Sequence, residues 1–146
     1  MSTPQETHTP FQHPIRIYWE DTDAGGIVFY ANYLKFFERA RTEWLRELGF
    51  GQQLLREETR GMFVVSETTV KYLAPARLDD ILTVTAELQD AGRASLTIAQ
   101  RAYLRTAGHT QTSDRLLAEA TIRLGWVDST TLKPGRIPAP VLKAMK

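Results

Sequence analysis

Two carboxylates, Asp21 and Asp23, stand in a turn that continues into the glycine pair Gly25-Gly26. A carboxylate can attack a carbonyl carbon directly, or it can take a proton from an attacking water. Both routes put negative charge on the carbonyl oxygen, which calls for fixed hydrogen-bond donors nearby. The residues that follow offer such donors. Asn32 is a suitable N-cap for a helix beginning at Tyr33. The free N–H groups and positive dipole end of that helix favour a developing anion. Each acidic residue also has a plainer reading. Asp23 can simply shape the turn through bonds to its own backbone. Asp21 fits a structural Asx-type bond, with electrostatic support as its second reading. Gly25 and Gly26 let a substrate or a neighbouring backbone come close, or make an ordinary tight turn. Glu20 is expected to face solvent.

The elements around the turn follow from periodicity. Ile15, Ile17 and Trp19 alternate with Arg16, Tyr18 and Glu20, the pattern of a half-buried strand. Tyr33, Phe37, Ala40, Trp44 and Leu48 recur at helical spacing, and Leu34, Phe36 and Leu45 widen that face. So wide an apolar face predicts a largely wrapped helix. Gly49 is the expected C′ residue, with Phe50 folding back on Leu45 in a Schellman motif. Gly51 to Gly61 reads as a connection with at most a helical turn. Four strands then follow, over Met62–Leu73, Ile81–Gln89, Ala94–Arg105 and Leu116–Val127. A polar loop, Thr106–Asp114, separates the last two. Consecutive strands with short turns predict an antiparallel meander, and its apolar face needs the helix as cover. The expected class is α+β. The domain spans 15–128, with a flexible arm at 1–14 and a proline-rich tail at 129–146, where Val141–Met145 suits a short helical turn.

Composition narrows the function. The chain has 146 residues, no cysteine and a formal net charge of +1. It is long enough for one domain with a core of its own. Without cysteine there is no disulfide framework, thiolate catalysis or cysteine-based zinc site. A net charge near zero gives no broad nucleic-acid footprint. No apolar run reaches the roughly 18 residues of a membrane span, and the first 14 residues lack the pattern of a signal peptide. The expectation is a soluble, cytoplasmic protein.

The pattern D-x-D-x-x-G-x-V-x-Y-x-x-Y, carried by Asp21, Asp23, Gly26, Val28, Tyr30 and Tyr33, resembles the 4-hydroxybenzoyl-CoA thioesterase family. The continuation ANYLKFFERARTEWL is most similar to its Tol-Pal-associated acyl-CoA thioesterase (YbgC-like) branch. The downstream VKYLAPARLDDILTV, Val70 to Val84, resembles the family's second characteristic segment. The resemblance covers about Ile15 to Val127. It implies a hotdog fold, an antiparallel sheet curled around one long central helix, assembled as dimers or tetramers. It implies an acyl-CoA substrate, no cofactor, and an active site between subunits. By this resemblance Asp23 is the catalytic carboxylate and the Tyr30 backbone N–H polarises the thioester carbonyl. Gly25, Gly26, Asn32 and Tyr33 join the substrate-binding set. The branch usually has histidine where Tyr30 stands, so a histidine-dependent step is in doubt. The Tyr30 ring lines the acyl pocket or belongs to the core. A thiol pKa of about 8.5 makes the thiolate a ready leaving group, so one carboxylate suffices without a catalytic histidine.

Other candidates carry less. Lys71, Arg77, Arg101 and Arg105 are cations that could meet coenzyme A phosphates, although a solvated face is the commoner role. Glu38, Arg39, Arg41 and Glu43 suit surface or interface pairs, with Glu38 a distant second catalytic carboxylate. His8, His13 and His109 lack metal-ligand spacing. Asp21-x-Asp23 with Gly26 is not a calcium loop, because Gly25 and Asn32 stand where ligands belong. No G-x-S-x-G, P-loop or G-x-G-x-x-G is present. Two further readings remain. One is a non-catalytic module binding acyl-CoA or acyl-carrier protein. The other is an interaction protein of the envelope or phospholipid machinery.

Overall fold

A computed structural model describes residues 9–105 and 114–146. Positions 1–8 of the expected arm, His8, His109 and nearly all of the Thr106–Asp114 loop lie outside the described residues. The elements run β1 (Phe11–Arg16), a single 3-10 turn (Trp19–Asp21), α1 (Asn32–Glu47), α2 (Gln52–Thr59), β2 (Gly61–Tyr72), β3 (Ile81–Ala91), β4 (Ser95–Leu104), β5 (Arg115–Asp128) and α3 (Ala139–Met145). The class is α+β, with one five-stranded antiparallel sheet. The long helix does not stand alone, since α2 and α3 accompany it.

The first strand lies earlier than its alternation suggests. Phe11, Gln12 and His13, expected in the arm, pair with Ala86, Thr85 and Val84 of β3. Ile15 and Ile17 are buried, but Trp19 is 79% exposed because the chain coils at that point. The tail also joins the domain: Ile137, Val141 and Met145 are buried, and the Ile137 N–H donates to the Arg93 carbonyl at 2.8 Å.

The strand order is β1-β3-β4-β5-β2. The expected four-strand meander is therefore corrected: only β3, β4 and β5 are consecutive neighbours, and β2 lies on the far edge beside β5. The segment between β2 and β3 is not a hairpin turn. The Leu73 and Ala74 N–H groups both donate to the Leu117 carbonyl, at 2.8 and 3.1 Å. Ala76 then donates to the Tyr33 hydroxyl at 3.2 Å, and its carbonyl accepts from Val28 at 2.9 Å. The chain thus passes the start of α1 and reaches β1, where β3 pairs.

Helix α1 buries Tyr33, Phe36, Phe37, Ala40, Arg41, Trp44 and Leu45. Their partners include Leu82, Val84, Leu96, Ile98, Leu117 and Ile122 of the sheet. Glu38, Arg39, Arg46 and Glu47 remain exposed, so the helix is covered on one side only in this chain. Its end has the expected geometry. Gly49 has φ +96°, its N–H donates to Arg46, and Phe50 donates to Leu45 at 2.7 Å. These are the two bonds of a Schellman motif.

Arg41 departs from the expected surface pairing. It is buried, and its Nη1 donates to Gln100 Oε1 at 2.9 Å. Gln100 sits on the apolar face of β4 and donates to the carbonyls of Phe37 and Thr85, at 3.0 and 3.1 Å. Burial lowers the Arg41 pKa, opposed by the charge of Glu38. Leaving a buried charged donor without its acceptor costs more than replacing both groups by apolar ones. We expect Gln100→Leu to destabilise by about 3 kcal/mol, and Arg41→Met/Gln100→Leu to recover at least half of that loss in urea unfolding.

Gly61 opens β2 where a Cβ would lie 2.2 Å from Trp126 Cζ2. That ring is buried and held edge-on by Phe63, so it has little room to move. Gly61→Ala is expected to cost about 1–3 kcal/mol as overpacking. The check is thermal unfolding, where Tm should fall by roughly 3–10 °C.

Candidate active site

The acidic turn is a small hairpin. Thr22 and Val28 form an antiparallel bridge, and the Asp23 N–H donates to the Ile27 carbonyl at 2.9 Å. The Asp23 carbonyl closes the turn by accepting the Gly26 N–H at 3.0 Å. Gly26 has φ +77°, a conformation that a side chain would strain. At Gly25 a Cβ would come within 3.2 Å of Asp23 Oδ1. That oxygen accepts the Gly25 N–H at 2.8 Å. Asp23 therefore shapes its own turn while its carboxylate stays exposed to solvent. Its Oδ2 accepts no hydrogen bond among the described residues.

Asp21 is buried and does different work. Its Oδ2 accepts the Tyr18 N–H at 2.8 Å and caps the 3-10 turn. Its carbonyl accepts from the Phe29 N–H at 3.0 Å and from Asn32 Nδ2 at 2.9 Å. The expected N-cap role of Asn32 is thus corrected. Asn32 is the first residue of α1, Ala31 is the cap residue, and neither makes a side-chain cap bond. The Asn32 amide instead ties the helix start to the acidic turn, because the chain doubles back and brings the Asp21 carbonyl within its reach.

Tyr30 precedes the helix. Its N–H has no acceptor among the described residues, and its ring is 64% exposed beside Phe29 and Tyr72. Tyr33 is buried, and its hydroxyl accepts from the Ala76 N–H. Desolvation raises the Tyr33 pKa, opposed by that bond. Tyr30 and Tyr33 share an open apolar hollow of about 290 Å³ with Ile27, Val28, Tyr72 and the 73–75 segment. Asp23, Gly25, Gly26 and Asn32 do not line it. Asp23, Gly25 and Gly26 belong to the adjoining hairpin, whose returning arm, Ile27–Val28, does, and Asn32 opens α1.

Tyr72 was not singled out by sequence reasoning. Its hydroxyl donates to the Tyr30 carbonyl at 2.8 Å. The only signal was its place in the segment Val70–Val84, which has no periodicity that would point to a contact with the helix start.

The other candidates lie elsewhere. Arg77 is exposed, and its backbone bridges Ile27. Arg101 lies 3.9 Å from Glu119 on the open surface of the sheet. Glu38 is exposed on α1 and accepts the Thr42 hydroxyl at 3.0 Å. His13 lies in β1. Among the described residues no group of acidic, histidine or cysteine side chains could hold a metal ion, and no helix is long and apolar enough to cross a membrane.

The thioesterase-like superfamily model matches residues 17–145. The chain belongs to this superfamily. It is 42% identical over 134 residues to the acyl-CoA thioesterase YbgC of Haemophilus influenzae, covering 92% of this chain and 93% of that protein. It is 43% identical over 138 residues to the acyl-CoA thioester hydrolase YbgC of Escherichia coli O6:H1, covering 94% and 97%. A hypothetical protein of Aquifex aeolicus has a similar crystal structure, with a TM-score of 0.82 at 28% identity over 94% of this chain and 100% of that one. The chain is thus a YbgC-like member of the superfamily.

The Asp21 carboxylate is the acceptor that holds the Tyr18 N–H. We expect Asp21→Ala to lower stability by about 1–3 kcal/mol, the loss of a part-buried hydrogen bond to a charged acceptor. Asp21→Asn, which keeps an acceptor, should lose less in the same urea titration.

Proposed function

We propose that the protein hydrolyses acyl-CoA thioesters to the free acid and coenzyme A, with Asp23 and the Tyr30 N–H as the reacting site. That it is a thioester hydrolase follows from its kinship with the YbgC enzymes. The observation that carries the site is the unpaired Tyr30 N–H, at the head of α1 and on the rim of an apolar hollow. The thioester carbonyl oxygen would accept this N–H and face the positive end of the helix. The acyl group would lie in the hollow, against Tyr30 and Tyr33, and Gly25 and Gly26 would let the substrate approach the turn.

Asp23 then acts in one of two ways. Its free Oδ2 attacks the carbonyl carbon, the C–S bond breaks, and the resulting anhydride is hydrolysed by water. Alternatively it takes a proton from a water that attacks the same carbon. Either way one water is consumed, and the thiolate leaves without a strong general acid. No metal or bound cofactor enters this scheme.

Exposed Tyr18, Trp19, Phe29, Tyr30 and Leu34 support a site completed by a second subunit, in a homodimer or homotetramer. We place the enzyme in the cytoplasm, with acyl-carrier protein as a further source of thioester. One observation favours a non-catalytic binding module: Asp23 Oδ1 is already engaged as a turn acceptor.

Thiol release from a panel of aromatic and aliphatic acyl-CoAs separates these readings. The protein has no cysteine, so liberated coenzyme A supplies the only thiol. The native protein should turn over at least one substrate, and Asp23→Asn should lose about 10²–10⁴-fold in kcat. Absence of turnover across the panel would favour the binding module. Turnover untouched by the substitution would remove Asp23 from the mechanism and make Glu38 the next carboxylate to change.

A further inference from the structure

The Tyr30 carbonyl is held less by its helix than by a side chain from the sheet. Its helical partner, the Tyr33 N–H, is 3.4 Å away, at the long limit of a hydrogen bond. The Tyr72 hydroxyl is at 2.8 Å. Tyr72 is the last residue of β2 and pairs with Ala118 of β5, while the next residue, Leu73, donates to the Leu117 carbonyl at 2.8 Å. Its backbone is therefore fixed by the sheet. Its ring meets Tyr30 and Tyr33 edge-on, with centroids 6.0 and 5.5 Å apart.

The peptide on the other side of Tyr30 is held as well. The Phe29 carbonyl accepts the Asn32 N–H at 2.9 Å. In a trans peptide the Tyr30 N–H points away from that carbonyl. One anchor fixes the plane of the peptide that carries the N–H, and the Tyr72 hydroxyl fixes the plane of the next. Between them the φ and ψ of Tyr30 have little freedom. Desolvation, then the neighbouring Tyr30, raises the Tyr72 pKa, so the hydroxyl keeps the proton it donates.

We infer that Tyr72 is a positioning residue for thioester cleavage, its hydroxyl holding the Tyr30 backbone so that the N–H is aimed at the developing oxyanion. This rests on the thioesterase reading above. In this role the Tyr72 hydroxyl touches no reacting atom, and the ring, which lines the hollow, is kept in the Phe variant. A donor fixed in advance is most valuable where charge appears in the transition state, so loss of the hydroxyl should lower kcat more than substrate binding.

The test is Tyr72→Phe, which keeps the ring and removes only the hydroxyl. Steady-state thiol release would be measured for the native protein, Tyr72→Phe and Asp23→Asn. It would be paired with the Kd of a non-hydrolysable thioether analogue of the preferred acyl-CoA, and with Tm. The expected result is a fall in kcat of about tenfold or more, with KM and the thioether Kd within about twofold and Tm little changed. Hydrogen exchange at residues 29–31 should also quicken in the variant.

A native kcat in Tyr72→Phe would overturn the inference, and if Asp23→Asn still collapsed, the thioesterase reading would stand without it. A fall in kcat matched by a rise in KM and Kd and a drop in Tm would also overturn it, leaving Tyr72 a purely structural anchor. Absence of turnover by the native protein would sink the thioesterase reading and this inference together.

Discussion

The Asp21 carbonyl oxygen accepts two hydrogen bonds, one from the Phe29 N–H and one from the Asn32 amide. Those two bonds join the acidic turn to the start of α1. The Asp21 carboxylate holds the approach to the same turn through Tyr18. One buried residue therefore sets where the hairpin carrying Asp23 sits relative to the helix that follows. Such a node has to be buried, because in water each bond would be exchanged for one to solvent at little net gain. Burial makes the missing bond expensive, and that expense keeps the turn in a single arrangement.

The helix in turn needs a fixed height above the sheet. Apolar contact alone is weakly directional. Two polar links give α1 direction. At its start, Tyr33 receives the Ala76 N–H and Tyr72 reaches back to Tyr30. At mid-length, Arg41 meets Gln100, which also holds the Phe37 carbonyl of the same helix. A guanidinium in a core is costly to desolvate. Its use here is consistent with specifying one register of helix on sheet rather than adding stability.

The hollow beside Tyr30 exists because the link between β2 and β3 is laid against the helix start. If β2 had turned straight back into β3, the 73–76 segment would lie at a sheet end and Tyr72 would be out of reach of Tyr30. The crossing also separates the two edges of the sheet, with β1 on one side and β2 on the other. Tyr18, Trp19, Phe29 and Tyr30 remain exposed in a single chain. An exposed apolar surface of this kind marks an interaction site.

Much of this was legible in the sequence, and the divide has a physical cause. The strand β3, the body of α1, its stop at Gly49 and the Asp23–Gly26 turn are local. Side-chain parity, the 3.6-residue period and a glycine with positive φ are each expressed by neighbours a few residues apart. The sequence alone therefore determined the segments that form β2 to β5, which face of the helix is apolar, and which turn carries the carboxylate. Tertiary structure decided the rest. Periodicity says that β2 needs a partner and does not name β5. Trp19 has the right parity for a strand, but the chain coils there to bury Asp21. Gln100 interrupts an apolar face and acquires a meaning only when Arg41, 59 residues away, comes down on it. Tyr72 and Tyr30 are 42 residues apart and meet only after β2 has found its edge. Contacts of that separation depend on how the whole chain closes, and no local pattern encodes them.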